Sequence, residues 1–364
     1  MIRMKFMKTI YKYVKGKPVL ENCVALLKYF YIAIGKCKEK RLFNSIENCV
    51  PKEKQKDKKY IRNLTLDLIK CKFIYGFNYE EYFAFELKNK SKQQRDEYVG
   101  TLERYELLKD LSSTEWQKIF DNKYLCYETF KPYYKREVVY IDNRNYEAFC
   151  DFVERQRVFI VKPLEYSLGQ GIYIVDVDEE NRSMSKLFND IVSYGECVLE
   201  EIITQNVNMA FLHPSSVNTI RFVTYFDGER NHNLYALLRM GIGGSCVDNA
   251  FIGGLIASVN LETGIVETPG YRNIKNIAQQ YDCHPETRAK IKGSQIPKWN
   301  ELLEVIEELV RIVPEQKIVG WDMALTDNGW VMVEGNSRPI FKSIQLCTGK
   351  GFRQTFEKIK NNSF

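Results

Sequence analysis

The sequence predicts an α+β fold that follows a mainly helical, basic N-terminal region. Residues 1–110 have the polar, helix-forming character of that region, whereas from Val158 onward short β-branched runs are separated by turn residues. Strands mixed with helices, rather than in strict alternation, favour α+β subdomains. The length of 364 residues allows two or three subdomains.

The elements of the α+β part are predicted from hydrophobic periodicity and turn residues. We expect strands at 158–161, 172–177, 197–200, 219–226 and 234–240, with a hairpin turn at 227–231, and helices at 185–192 and 299–313. Residues 52–59 are so rich in charge that we expect a loop there. We divide the chain into an N-terminal region at 1–110, a domain at 111–350 and a tail at 351–364.

Charge is concentrated at the N-terminus. Residues 1–60 contain 16 Lys and Arg against 5 Asp and Glu, a net charge of +11, whereas the whole chain carries +6. Such a segment favours contact with a membrane surface or an anionic polymer, although a solvated helical face explains the pattern equally well. No nucleic-acid motif accompanies the charge, so we expect no nucleic-acid partner. The longest apolar stretch, 23–34, is too short to span a bilayer, and we expect a cytoplasmic protein, with peripheral contact at the inner membrane surface left open.

The run 320–339 is the most informative part of the sequence. Asp327, Asn328 and Gly329 form a strong hairpin signal, because Asn and Gly tolerate positive φ. If these three residues form the loop, Thr326 pairs with Trp330 and Asp322 lies opposite Glu334, with Cβ atoms about 5 Å apart.

Two carboxylates at that distance repel each other unless a cation lies between them. Asn336 follows Glu334 by two residues and therefore shares its face. Asp322, Glu334 and Asn336 are the oxygen ligands that Mg²⁺ prefers, and Arg338 could bind a phosphate or carboxylate as a fork. The alternative is an edge hairpin whose acids face solvent.

A second group of residues has the character of a phosphate-binding loop. The strand at 158–161 ends in Lys162, and a small-residue loop follows that contains Ser167, Gly169 and Gly171. Its amide groups could fold over phosphate oxygens. No G-K-[ST] follows, and a strand stands where a dinucleotide-binding fold needs a helix, so neither of those nucleotide-binding motifs applies.

Two flanking segments complete this group. Lys123 could supply another phosphate contact, although a single lysine near a helix start is usually a surface charge. The strand end at 198–203 could offer adenine backbone hydrogen bonds and an apolar slot.

Taken in chain order, these motifs resemble the ATP-grasp superfamily. The segments 213–221, 247–249, 253–254 and 320–322 are most similar to its sugar-transfer-associated branch. The resemblance covers residues 110–350 and implies two α+β subdomains that grip ATP, with an ATP-binding lobe at about 120–205 and a metal-binding, catalytic lobe at about 206–350.

The resemblance also implies roles for individual residues. Lys123 and Lys162 would contact the α- and β-phosphates. The other implied nucleotide contacts are Ser167, Gly169, Gly171, Glu200, Glu201 and Ile203. Asp322, Glu334 and Asn336 would hold one or two Mg²⁺ ions.

Family ligases phosphorylate a carboxylate with ATP, and an amine then attacks the acyl phosphate. Arg221, Arg239 and Arg338 are the candidates for offsetting charge on the transferred phosphoryl group. Asn218, Asp248 and Asn249 are expected to shape the acceptor or nucleotide site.

The implied function is an ATP-dependent carboxylate–amine ligase with ATP and Mg²⁺ as cofactors. The branch's association with sugar transfer points to a uronic acid of a surface polysaccharide or its precursor as the acceptor, and to an amino acid or amine as the nucleophile. Two alternatives stay open: a phosphotransferase that acts on a sugar hydroxyl, and a non-catalytic ATP-binding module of a sugar-transfer system.

Overall fold

The computed structural model describes residues 13–15, 17–34, 39–164, 171–180, 182–243, 253–274 and 277–364. Two compact units account for the chain. The first contains Met1–Asp110, Asn273–Gln279 and Ile340–Phe364, and the second contains Leu111–Arg272 and Gln280–Pro339.

Among the described residues, helices dominate the chain before residue 135, and the sequence predicts this for residues 1–110. They are α1 (Pro18–Ala33), α2 (Lys40–Cys49), α3 (Lys52–Gln55), α4 (Lys58–Phe73), α5 (Tyr79–Ala84), α6 (Lys92–Asp96), α7 (Thr101–Leu111), α8 (Thr114–Asp121) and α9 (Lys123–Tyr134). The expected loop at 52–59 is wrong, since it contains α3 and the start of α4. Asp57 accepts hydrogen bonds from the amides of Lys59 and Tyr60, so part of the charge that indicated a loop is a helix cap.

The two C-terminal helices, α14 (Lys342–Thr348) and α15 (Arg353–Asn361), belong to the first unit. The buried Gln345 side chain bonds both the amide and the carbonyl of Val99. Arg353 pairs with Glu103 at 2.6 Å. The end of the chain is therefore tied to the helical N-terminal region.

The second unit contains a four-stranded antiparallel sheet and most of a seven-stranded sheet. The first sheet has the order β1-β4-β2-β3. Its strands are β1 (Val138–Ile141), β2 (Val158–Pro163), β3 (Tyr173–Asp176) and β4 (Cys197–Glu201). Helices α10 (Tyr146–Arg155) and α11 (Met184–Val192) share an aromatic core with its strands, in which Phe149, Phe152 and Phe159 are fully buried.

The second sheet has the order β11-β10-β5-β6-β7-β8-β9. Its strands are β5 (Thr219–Phe226), β6 (Asn231–Met240), β7 (Leu255–Val259), β8 (Gly270–Ile274), β9 (Ile277–Tyr281), β10 (Ile318–Thr326) and β11 (Gly329–Asn336). The short helix α12 (Val207–Ala210) precedes this sheet, and α13 (Trp299–Ile312) shares the larger core with it. This mixed architecture with a helical N-terminal region confirms the predicted fold class.

The β10–β11 hairpin places Asp322 opposite Glu334, as predicted, but by a different route. Thr326 pairs with Gly329 rather than with Trp330, so the turn holds two residues instead of three. A bulge then leaves Val333 as an extra residue between the pairs Met323–Met332 and Asp322–Glu334. The two differences cancel, and the carboxylates still face each other.

Among the described residues, no helix combines the length and the apolar character needed to cross a membrane.

Candidate active site

One cavity of the second unit collects much of the predicted site. The first sheet contributes Ile160, Lys162, Glu200 and Glu201 to its lining, and the second sheet contributes Thr219, Arg239, Asp322, Val333, Glu334 and Gly335. Helices α8 and α9 contribute Phe120, Lys123, Cys126 and Tyr134. The remaining lining residues are Ile172, Ile203 and Val217. The cavity therefore lies between the two sheets and is closed on one side by helices.

The first charged group in this cavity, which we call the glutamate cluster, consists of Glu200, Lys162 and Arg136. Lys162 Nζ and Arg136 Nη2 each donate to Glu200 Oε2 at 2.8 Å. Burial alone would raise the pKa of Glu200, but the two cations outweigh it and lower the pKa to about 2. Glu200, for which a nucleotide contact is predicted, is an ionised carboxylate with two buried cationic partners and lines the cavity.

The second charged group, which we call the hairpin cluster, consists of Asp322, Glu334, Arg221 and Arg239. Arg221 donates through Nε and Nη2 to the two Asp322 oxygens, and Arg239 Nη1 donates to Asp322 Oδ2 at 2.6 Å. Arg221 faces Asp322 because their positions pair between β5 and β10. Burial opposes ionisation of Asp322, yet the two arginines hold its pKa well below its usual range.

Glu334 differs from Asp322 in its surroundings. Desolvation by neighbouring protein atoms raises its pKa, and the Asp322 charge acts in the same direction. Its side chain is still 54% exposed, so solvent screens part of this effect. The nearest Arg221 nitrogen lies 3.8 Å from Glu334 Oε1. Glu334 therefore retains room for another cationic partner.

Gly335 has a packing reason to be glycine. A Cβ atom there would lie 2.3 Å from the ring of Phe120, which is far inside van der Waals contact. The close approach lets α8 pack directly behind the strand that carries Glu334. The glycine between the two predicted metal ligands is thus explained by the packing of helix α8 against the strand.

Lys123 lies at the start of α9, where Asn122 caps the helix through the amides of Tyr124 and Leu125. Its Nζ donates to the carbonyl of Pro163 at 2.8 Å. Burial lowers the pKa of Lys123, although the carboxylate of Glu334 opposes that shift. The lysine is therefore held between the two charged clusters.

Several predicted residues lie elsewhere. Asn218 is fully buried, and its amide nitrogen donates to Gln205 Oε1 and to the carbonyls of Met209 and His213, so it braces the chain before β5. Asn336 accepts from the amide of Arg338. Neither residue is among the described residues that line the cavity.

The remaining predictions have different outcomes. Arg338 forms an exposed pair with Asp121 at 2.6 Å and is also not among the described lining residues. Gly171 has a φ of 71°. It borders a second cavity, which is lined by residues of β2, β3 and β4. Ser167, Gly169, Asp248 and Asn249 lie outside the described residues.

Arg136 is a residue that the sequence reasoning missed. Besides Glu200, it donates to the carbonyls of Met332 at 2.6 Å and Val333 at 3.4 Å. It therefore joins the glutamate cluster to the bulge that sets the position of Glu334. No motif marks it, because Glu200 and these two carbonyls are all distant from it in sequence.

Comparison with known proteins identifies the family. A family model described as sugar-transfer associated ATP-grasp matches residues 104–361. The chain belongs to this family. The resemblance derived from the motif order is thus confirmed. No curated protein sequence is significantly similar to this ATP-grasp chain.

Solved structures that resemble this ATP-grasp chain are distant. The ATP-grasp ligase PsnB with a minimal precursor is 11% identical, with 70% of this chain and 63% of that chain covered and a TM-score of 0.41. D-alanyl-alanine synthetase A from Vibrio cholerae is 11% identical, with 67% and 65% covered and a TM-score of 0.42. D-alanine–D-alanine ligase from Bacillus anthracis complexed with ATP is 12% identical, with 67% and 65% covered and a TM-score of 0.37. The chain thus spans less than two thirds of the length of these proteins.

Proposed function

We propose that this ATP-grasp chain is an ATP-dependent ligase that joins a carboxylate to an amine through an acyl phosphate. The observation that carries the proposal is the convergence of Lys123, Lys162, Arg239, Asp322 and Glu334 on one cavity between two sheets. A cavity with two cations from one side and a carboxylate pair from the other matches what a nucleoside triphosphate with its metal requires.

The phosphates of ATP would contact Lys123 and Lys162. Both ammonium groups are held in place before ligand binding, by the carbonyl of Pro163 and by Glu200 respectively. Positioned cations of this kind neutralise phosphate charge without reorganising when the ligand arrives. Glu201 and Ile203, at the end of β4, also line the cavity and would border the adenine.

The chemistry of the hairpin cluster fits Mg²⁺. Asp322 and Glu334 are hard oxygen donors at paired strand positions, and desolvation and the neighbouring Asp322 charge raise the pKa of Glu334, which is the direction expected for two adjacent carboxylates. Asp322 and Glu334 would hold the ion, which would supply neutralisation of charge on the phosphoryl oxygens.

The reaction would have two steps, transfer of the γ-phosphoryl group to the carboxylate and then attack by the amine. A carboxylate oxygen attacks the γ-phosphorus, the bond to the β-phosphate oxygen breaks, and ADP leaves. The amine nitrogen then attacks the acyl carbon, inorganic phosphate leaves, and the nitrogen loses a proton as the amide forms. Arg221 and Arg239 already share one buried carboxylate, so they would stabilise the anionic reactants by position rather than by proton transfer.

The acceptor would be the carboxylate of an acidic sugar, in a surface polysaccharide or its precursor, and the nucleophile an amino acid or amine. The family's association with sugar transfer supports this substrate class. We place the reaction in the cytoplasm.

Mass spectrometry after incubation with ATP, Mg²⁺, uronic acids and amino acids tests the proposal. We expect ADP, phosphate and an amide whose formation requires both organic substrates. A phosphorylated sugar formed without any amine would mean a phosphotransferase. ATP binding without turnover on the whole panel would favour the non-catalytic module.

A further inference from the structure

Helix α1 (Pro18–Ala33) presents a long apolar surface to solvent. Val19 is 74% exposed, Leu27 is 62% exposed and Phe30 is 59% exposed. The exposed apolar residues, together with Ile34 just beyond the helix, form what we call the apolar face of α1: Val19, Leu20, Cys23, Leu26, Leu27, Phe30, Tyr31 and Ile34. Their spacing of three and four residues places them on one side of the helix.

The charged residues of this helix point the other way. Glu21 is buried and accepts from the hydroxyl of Tyr75 at 2.9 Å. Lys28 lies over the ring of Phe73 and pairs with Glu39. Within Pro18–Ala33, all of which is described, Glu21 and Lys28 are the only charged residues, and neither lies on the apolar face.

A surface helix of a water-soluble protein has the opposite arrangement, with apolar residues inward and charges outward. Contiguous exposed apolar surface of this kind marks an interaction site. The inverted polarity of α1 therefore indicates an apolar partner for this face.

The net charge of the N-terminal segment in the sequence favours one partner. Residues 1–60 carry 16 Lys and Arg against 5 Asp and Glu, a net charge of +11. Lys17 stands at the start of α1, with its Nζ 3.4 Å from the ring centroid of the exposed Tyr13. Two copies of this chain packed through α1 would bring two such charges together, which is unfavourable, whereas an anionic bilayer offsets them.

We propose that α1 docks this protein onto the surface of a membrane that contains anionic lipid. The helix lies parallel to the surface, with its apolar face in the boundary between headgroups and acyl chains and the basic residues at the phosphates. Sixteen residues of helix extend about 24 Å, which is enough for a surface anchor and too short for a span.

This inference does not rest on the proposed ligase activity. The residues that carry it belong to the first unit, and the candidate active site belongs to the second. Failure of either proposal would leave the other standing. Together they would place an enzyme for acidic sugars where lipid-linked precursors occur.

The test is flotation of the full chain with phosphatidylcholine vesicles, with and without phosphatidylserine. We expect binding that requires phosphatidylserine and weakens with added salt, because salt screens the basic residues. The double variant Leu27→Glu with Phe30→Glu should bind on the order of tenfold more weakly or worse, since it places charge in the apolar boundary.

The matched control is Tyr194→Glu with Val207→Glu, in the second unit. Those side chains are 73% and 74% exposed, so the control introduces the same charge at apolar positions that are at least as exposed as Leu27 and Phe30. It should bind like the unchanged protein, and thermal unfolding should show that both variants fold.

Two results would overturn the proposal. One is the absence of binding by the unchanged protein to phosphatidylserine vesicles. The other is equal loss in both double variants, which would mean a general effect of net charge. Light scattering identifies the alternative occupant. If the unchanged protein is a dimer that does not bind vesicles, and the α1 double variant is a monomer, this face is an interface between two copies.

Discussion

The glutamate cluster and the hairpin cluster both consist of acids shared by two cations, yet they differ in what they leave available. Glu200 is buried, and Lys162 and Arg136 account for its charge. Asp322 is likewise shared by two arginines, but it has a second carboxylate beside it that is more than half exposed. In the first cluster the carboxylate is satisfied within the protein, so a ligand would meet Lys162 rather than Glu200, whereas the second cluster can accept a ligand through Glu334.

The largest expected effect is on the hairpin cluster. Glu334→Gln should lower ADP formation by roughly 10² to 10³-fold, because it removes the carboxylate available to a cation. Thermal unfolding should change little, since the side chain is exposed. ADP release is the measurement, with Glu229→Gln in an exposed turn as the matched control. Unchanged turnover would remove Glu334 from the site.

The same change in the glutamate cluster should affect stability first. Glu200→Gln leaves Lys162 and Arg136 without their anion and should cost about 3 kcal/mol in the free energy of unfolding, which is also what the lowered pKa of Glu200 implies. Urea unfolding at neutral pH measures it. A loss of activity with full stability would make Glu200 a ligand contact and break the comparison.

The pH dependence of stability sharpens the same point. The pKa of Glu200 falls from an ordinary value of 4.5 to about 2 in the folded state, because Lys162 and Arg136 outweigh its burial. The unfolded chain thus binds this proton more readily, so the stabilisation is complete above about pH 5 and is lost as the pH falls from about 4.5 towards 2. Urea unfolding between pH 7 and pH 4 should show a shallower decline in Glu200→Gln than in the unchanged protein.

Lys123 lies between the clusters and tests whether ligand enters there. Lys123→Ala should raise the KM for ATP by about 10- to 100-fold, the range for loss of one charge-assisted contact. Arg338→Ala, the matched loss of a cation paired on the surface with Asp121, should change this KM less than about threefold. Equal effects would mean that Arg338 reaches the nucleotide after all.

The smallest expected effect concerns the turn of the hairpin. Gly329 has a φ of 91°, which strains a residue with a Cβ. Gly329→Ala should lower the free energy of unfolding by about 1 kcal/mol and leave ADP formation unchanged. A marked loss of activity would show that strain in the turn reaches Glu334.

Sequence reasoning found strands β2 to β6 and the hairpin with its facing acids because these depend on local patterns, whereas β1, β7, β8 and β9 were not predicted. The predicted strand 219–226 matches β5 at both ends, and helix 299–313 differs from α13 by one residue. Helix α3 was missed because Lys and Glu in a short run are equally at home in a loop and on an exposed helix.

The partners of the site residues could not be predicted in the same way. Arg221 and Arg239 were singled out, but their shared pairing with Asp322 depends on the order β10-β5-β6, which no local pattern encodes. Arg136 was missed for a related reason, since it bonds the carbonyls of a bulge. Asn218 and Arg338 carry suitable chemistry, but the fold uses them in loop packing and in a surface pair.

The bulge at Val333 has a consequence for how this hairpin can vary. Arg136 holds the bulge through main-chain carbonyls, which any residue at those positions can provide. The contact with Arg136 therefore does not depend on which side chains stand at positions 332 and 333, as long as the extra residue of the bulge is kept. Deletion of that one residue would shift the pairing by one and turn the glutamate to the opposite side of the sheet.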